Sequence, residues 1–196
     1  MINAPAVFGL ILVLAYLMGS IPFSVIVTNI KGVDLTKVGS GNFGATNVYR
    51  ALGLGYALLV FVLDVLKGAF PTFLAMHYFP SPIIQVLVAL TAIVGHSFSL
   101  FLGFKGGKGV ATTLGALGVI APQAVGICFV VAVTIIKFTR KVSLATLTAC
   151  VLLPVLVWYF GYAKVVLYTV SFVSFFIVLM HRSNIARLIK GTENRL

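Results

Sequence analysis

Acidic residues are nearly missing from this chain: Asp34, Asp64 and Glu193 are the only three in 196 residues. Charge of either sign is scarce, at 9%, where a soluble domain carries about 25%. The apolar share of 61% exceeds the usual range of about 45–50%. Together these values exclude an ordinary soluble globular domain and place the chain in lipid. Cysteine is also sparse. Cys128 and Cys150 both fall inside apolar runs and show no metal-ligand spacing, so they read as packing residues, with neither a disulfide nor a bound metal expected. No internal repeat, low-complexity tract or linker interrupts the chain, and its length suits one membrane domain over 1–196. Met1 to Pro5 carries no positive charge, and the apolar run after it is too long for a cleaved signal peptide, so it reads as a retained span.

What the chain does carry is positive charge: fourteen Lys and Arg, for a net +11. On a soluble protein that excess would suggest nucleic acid. Here the basic residues sit between apolar runs and are not interleaved with stacking aromatics, so nucleic acid is discounted. The charge speaks instead to membrane orientation and anionic partners.

A spanning helix needs about 20 apolar residues. Candidates are 5–29, 52–76, 83–102, 143–160 and 165–180, with a further apolar stretch at 110–136 that contains Pro122. If 110–136 were one span, the basic clusters would fall on opposite sides of the membrane. If it turns near Ala121-Pro122, four clusters share one side: Lys31, Lys37 and Arg50; Lys105 and Lys108; Lys137, Arg140 and Lys141; and Arg182, Arg187, Lys190 and Arg195. They hold twelve of the fourteen basic residues. The rule that cytoplasmic loops carry the Lys/Arg excess favours the second arrangement. The expected fold is all-α: a polytopic bundle of seven transmembrane helices, N-terminus outside and C-terminus cytoplasmic. Its cost is two short helices of about 13–16 residues on either side of the turn, each reaching only roughly 20–24 Å.

The polar residues gather in the basic connectors. In Gly39-Ser40-Gly41-Asn42-Phe43-Gly44-Ala45-Thr46-Asn47, glycines alternate with small polar residues, so backbone N–H groups can converge on an anion. Arg50 would add a forked donor suited to phosphate. A solvated turn with a boundary arginine has the same look. In Gly103-Phe104-Lys105-Gly106-Gly107-Lys108-Gly109, four glycines and two lysines lead into a helix, an arrangement that cradles phosphate through N–H groups, helix dipole and charge. It is not a Walker A loop, because Gly109 stands where Ser or Thr would follow the lysine. In the tail, His181, Asn184 and Leu188 share a helical face with Arg187 nearby. Ser143 reads as a helix N-cap that can also face a ligand. Asp64 and Lys67, three apart within a span, read either as a functional pair or as a mutually neutralising structural one. Gly19-Ser20-Ile21-Pro22 reads as a kink in the first span.

Taken together, 19–22, 39–47 with Arg50, Asp64–Gly68, 95–112 and 181–191 resemble the PlsY glycerol-3-phosphate acyltransferases, with motifs in the same order along the whole chain. The resemblance implies a bacterial inner-membrane enzyme with its active site on the cytoplasmic face. Such an enzyme passes an acyl group from acyl phosphate to the sn-1 hydroxyl of glycerol 3-phosphate, giving lysophosphatidic acid and phosphate, with no cofactor and no metal. It further implies functional roles for Ser40, Arg50, Lys108, His181 and Asn184, and a substrate-binding set of Ser40, Gly41, Asn42, Asn47, Arg50, Lys105, Gly106, Gly107, Lys108, Gly109, Ser143, His181 and Asn184. Glu193 matches the acidic residue of the third motif and reads as the partner of a loop cation. The expected partners are the two phosphorylated substrates and membrane lipid, and the expected state is a monomer. A transporter of a phosphorylated metabolite is the competing class, but the polar residues gather on one face instead of at midplane and no inverted repeat is visible.

Overall fold

The computed structural model describes residues 4–196; Met1 to Asn3, where the reading of an uncharged N-terminus begins, lie outside the described residues. The described chain is helical. It divides into two compact units, one up to Ile120 and one over Ala121–Leu196.

The first unit contains α1 (Ala4–Ser20), α2 (Phe23–Ile30), α3 (Ala45–Leu52), α4 (Leu54–Tyr78), α5 (Pro82–Ser97) and α6 (Val110–Ile120). The second contains α7 (Pro122–Thr139), α8 (Val142–Tyr159), α9 (Lys164–Met180) and α10 (Arg182–Ile189). Local chemistry sets the boundaries. Pro22 lacks the N–H that would continue α1, so the first apolar run breaks at Ile21-Pro22, at the expected kink. Gly53 at φ 84 separates α3 from α4. Prolines open α5 and α7, where a missing N–H costs nothing. Between α9 and α10 the chain bends by 63° at His181.

Polar and apolar residues are distributed as lipid demands. Phe70 and Phe73 on α4, Val151 and Trp158 on α8, and Phe172 and Phe175 on α9 are exposed, while Thr28, Asp64, Lys67, Thr72, His96 and Thr112 are buried. In water such a surface would aggregate; in a bilayer it is the solvated one. Pro5–Ile30, Leu54–Tyr78, Pro122–Thr139 and Val142–Tyr159 are long and apolar enough to cross a membrane, and the bent pair α9–α10 is a fifth candidate. Pro82–Ser97 and Val110–Ile120 are shorter apolar helices.

Three boundaries differ from the sequence reading. The expected span over 83–102 stops at Ser97, because the residues after it fold into a 3-10 turn at Leu100–Leu102 and an antiparallel bridge between Ser99 and Lys105. The connection 30–50 holds an unexpected helix, α3. The helices flanking Ala121 are unequal, 11 and 18 residues in place of two of similar length.

Close backbone approach fixes the first unit. Gly95 of α5 lies against the Tyr16 carbonyl of α1, and Gly115 of α6 lies against the Val65 carbonyl of α4. Small residues at such crossings let helices meet at backbone distance. A valine at 115 would drive its Cβ into that carbonyl, and overpacking of this kind costs about 1–3 kcal/mol. Gly115→Val is therefore expected to lower the thermal midpoint in detergent. Gly126→Ala, where a Cβ meets nothing within 4 Å, is expected not to.

Candidate active site

The first glycine-containing connector is shaped by Asn47. This residue sits in the first turn of α3 and is 1% exposed. Its Nδ2 donates to the Leu35 carbonyl (3.1 Å) and the Val38 carbonyl (2.9 Å), and its Oδ1 accepts from the Ser40 N–H (3.1 Å). Both amide hydrogens are thereby used. The loop they hold turns through Gly39 (φ 55) and Gly41 (φ 65), a left-handed region that glycine enters at no steric cost. Ser40 is left exposed at the tip, with Asn42 half-buried. Arg50 lies in the last turn of α3, and its Cδ passes 3.0 Å from where a Cβ on Gly39 would stand. The arginine and the glycine turn therefore share one surface. Ser24 of α2 ties the loop down by donating to the Phe43 carbonyl (2.7 Å).

The second connector leaves α5 at Ser97, reverses through Gly103 and Phe104, both at φ 60, and enters α6 at Val110. Lys105 is exposed, Gly106 and Lys108 are half-buried, and Gly107 and Gly109 are buried. The Gly107 N–H donates to the His96 carbonyl (3.2 Å), and the Gly109 carbonyl accepts from the Thr113 N–H, opening the helix (2.8 Å).

These two connectors meet. Phe43 of the first and Gly106 and Gly107 of the second line one small pocket, together with Ser20, Ser24, Asp64, Lys67 and His96. Asp64 and Lys67 do form the pair read from their spacing, with 2.8 Å between Oδ1 and Nζ. Lys67 also donates to the Ile21 carbonyl at the α1–α2 break (2.8 Å). The sequence reading does not include His96 in this group, yet its Nδ1 lies 3.8 Å from Asp64 Oδ1. The available signal is its position inside an apolar run, where an ionisable side chain is expensive.

In the second unit, Glu193 is the centre of a separate polar group. Its Oε1 accepts from Ser143 Oγ (2.8 Å) and Asn184 Nδ2 (2.6 Å), and its Oε2 accepts from Arg187 Nε (2.8 Å). The expectation that Ser143 caps its helix is corrected: Lys141 holds the N-cap position, and the Ser143 hydroxyl is spent on Glu193, 50 residues away. Glu193 does pair with a cation, but the partner is Arg187 of the helix α10 and not a loop residue. His181 stands at the α9–α10 bend, buried, with Nδ1 2.8 Å from the Ile177 carbonyl. A carbonyl only accepts, so Nδ1 carries a proton.

Burial works against the charged form of Glu193, but the hydrogen bonds from Asn184, Ser143 and Arg187 and the nearby guanidinium outweigh it and hold the carboxyl below its ordinary value. A carboxyl depressed in the folded state contributes stability above its unfolded value, and that stability is lost as pH falls through the folded value. The 190–196 segment is expected to stay protected from hydrogen exchange as the pH drops past the ordinary glutamate value of 4.5 and to open only below it. Release above that pH would contradict the assignment.

With this geometry in place, comparison with known proteins is decisive. The family model for glycerol-3-phosphate acyltransferase matches residues 9–191.

The chain belongs to the glycerol-3-phosphate acyltransferase family of PlsY.

It is similar to the glycerol-3-phosphate acyltransferase of Aquifex aeolicus, with 42% identity over 94% of this chain and 97% of the relative. To that of Thermus thermophilus it is 45% identical, over 94% and 93%. It also matches the crystal structure of PlsY, an integral membrane glycerol 3-phosphate acyltransferase, in its glycerol 3-phosphate form, with TM-score 0.93 and 42% identity over 96% of this chain and 95% of that one. The lysophosphatidic acid form of PlsY matches with TM-score 0.90 and 40% identity, over the same shares. The all-helical architecture and apolar surface are those of this integral membrane, multi-pass acyltransferase family. The transporter reading finds no support among these matches.

Proposed function

We propose that this protein transfers an acyl group from acyl phosphate to the sn-1 hydroxyl of glycerol 3-phosphate, as the first acylation of phospholipid synthesis. In this reading it is a single domain and a monomer in the bacterial inner membrane, with seven spans, the N-terminus outside and the C-terminus and active site on the cytoplasmic face. The observation that carries the proposal is the convergence of the two glycine-containing connectors on one pocket within the first unit. Two phosphorylated reactants bring about four negative charges, taking roughly −1.5 to −2 for each phosphate. Connectors rich in lysine, arginine and bare backbone N–H supply what those charges need.

In the first connector, Ser40, Gly41, Asn42 and Arg50 contact phosphate, and Asn47 acts by holding their backbone, since its own amide is committed to the loop. In the second, Lys105, Lys108 and the N–H groups of Gly106 and Gly109 hold the other phosphate at the start of α6, and Gly107 acts by shaping the loop, since its own N–H is committed to the His96 carbonyl. Ser143, His181 and Asn184 are the further substrate-contacting residues that the family resemblance implies.

The chemistry is a direct displacement. The glycerol hydroxyl oxygen bonds to the acyl carbon, the carbon–oxygen bond to phosphate breaks, and the hydroxyl proton leaves with the phosphate. Holding the hydroxyl against an activated acyl carbon supplies much of the acceleration, and Lys108, Arg50 and the loop N–H groups stabilise the carbonyl oxygen and the departing phosphate. The reaction uses no acyl-enzyme. His181 positions the phosphate and is not required as a base, so His181→Gln is expected to keep measurable turnover. Complete loss of chemistry with substrate binding intact would make His181 the base instead.

The deciding experiment uses purified protein with glycerol 3-phosphate and either palmitoyl phosphate or palmitoyl-CoA. Lysophosphatidic acid is expected from the phosphate donor alone. Product from the thioester alone would overturn the donor assignment.

A further inference from the structure

The described first unit carries a buried charged group that the reaction does not consume. Asp64 and Lys67 sit near the middle of α4, 2% and 4% exposed, with His96 of α5 beside them at 7%. Ser20 Oγ and His96 Nδ1, both buried, have no hydrogen-bond partner among the described residues. With Asp64 and Lys67 they line a space of ≈ 10 Å³, about that of one water. Asp64 and Lys67 are committed to each other and Lys67 also to the Ile21 carbonyl, so the group braces the chain around it instead of binding a reactant.

What it braces follows from its contacts. On one side, Lys67 Nζ donates to the Ile21 carbonyl, where the chain turns from α1 into α2, and Ser24 of α2 donates to Phe43 of the first connector. On the other, Asp64 faces His96, whose carbonyl holds the Gly107 N–H and whose ring lies so close to Gly107 that a Cβ there would collide with Nε2. Ser99 Oγ closes the circuit by donating to the Ser20 carbonyl.

We propose that Asp64, Lys67 and His96 are positioning residues that fix the Gly106-Gly107 loop relative to the first connector, and so set the distance between the two phosphate cradles. The assignment rests on reading both connectors as phosphate sites. A pair that only neutralised itself would be replaceable by apolar residues, since such replacements are often neutral or stabilising. A brace would not be, because it works through donors.

Two double variants separate these cases. Asp64→Asn with Lys67→Gln removes both charges but keeps a donor for the Ile21 carbonyl; Asp64→Leu with Lys67→Met removes the donor as well. Both are purified, checked for monodispersity and thermal midpoint, and assayed with palmitoyl phosphate. The polar pair is expected to retain turnover. The apolar pair is expected to lose kcat by about 10²-fold, the cost of a reacting group misplaced by roughly 1 Å, with KM for each substrate little changed because each cradle survives alone. Equal activity in both folded pairs would overturn the proposal.

His96→Leu, which leaves the ion pair intact, decides the matter if the apolar pair does not fold. Hydrogen exchange in residues 103–109 is expected to speed up while residues 143–160 are unaffected, and unchanged exchange would sink the brace. Exchange reads the brace without any substrate. A wild-type protein inactive with palmitoyl phosphate would therefore refute the functional reading and still leave the brace to be judged.

Discussion

Asn47→Leu is expected to reduce kcat/KM by about 10²-fold or more, because it releases the whole first connector, and displacement of a cradle by roughly 1 Å is enough for that loss. Leucine removes three hydrogen bonds at once and leaves the Leu35 carbonyl, the Val38 carbonyl and the Ser40 N–H without the asparagine. The Leu35 and Val38 carbonyls keep the Val38 and Gly41 N–H groups and Ser40 is exposed, so the cost is that of the lost bonds, about 0.5–1.5 kcal/mol each, and a fall in thermal midpoint should accompany the loss of activity. Asn47→Asp is the sharper probe. It preserves the acceptor for Ser40 but has no hydrogens for the two carbonyls, and it sets a negative charge against them. If Asn47 met phosphate directly, a second phosphate contact such as Arg50 would be expected to show the same pattern of loss. If it shapes the loop, Asn47→Asp should disturb hydrogen exchange across 35–41 while Arg50→Lys leaves that exchange untouched. Full activity in Asn47→Asp would show that the loop does not depend on the two carbonyl bonds.

The second large effect is expected at Glu193. Glu193→Ala withdraws one carboxylate from Ser143, Asn184 and Arg187 together. Hydrogen bonds to a charged group contribute about 1.5–3 kcal/mol each, but Arg187 is about a third exposed and water will re-solvate it, which reduces its share. A loss of about 2–4 kcal/mol in the stability of the tail is the expected result, carried mainly by the buried Ser143 and Asn184. Activity should fall with it, because Asn184 loses the partner that orients its amide. Glu193→Gln keeps the acceptor for Ser143 and Asn184 but turns an N–H₂ toward Arg187 Nε or gives up one of the first two bonds. It should therefore fall between wild type and alanine in both readouts. An alanine variant as stable and active as wild type would remove Glu193 from the account.

The apolar runs are readable because a bilayer demands them, and a soluble fold rarely needs twenty apolar residues in a row. The motif glycines are readable for a similar reason: bare backbone beside lysine has a specific use. The failures share a different cause. The apolar face of α3, formed by Ala45, Val48, Ala51 and Leu52, runs for only eight residues, too short for a periodic pattern to stand out, so from sequence the helix passes for connection. Ser143 looks like a local cap, and its actual partner is 50 residues away. His96 and Asp64, 32 positions apart, are brought together by the packing of α5 on α4, and no local pattern announces that meeting. Asp64 and Lys67, three apart on one helix, are recoverable for the opposite reason. Asn47 illustrates the remaining ambiguity: an asparagine in a glycine-rich loop suits a ligand or the loop itself, and only its three bonds to backbone groups separate the two.

The depth of the second connector has a consequence for how the reactants meet. Asp64 lies ten residues beyond the start of α4, about 15 Å along the helix axis, and the turns before it present Leu54, Leu58, Leu59 and Val62 outward. Gly107, resting on His96 beside Asp64, is sunk to that level. On the proposed reading the polyol phosphate is held level with a part of α4 whose outward surface is already apolar, so the lipid donor need not be lifted far out of its leaflet.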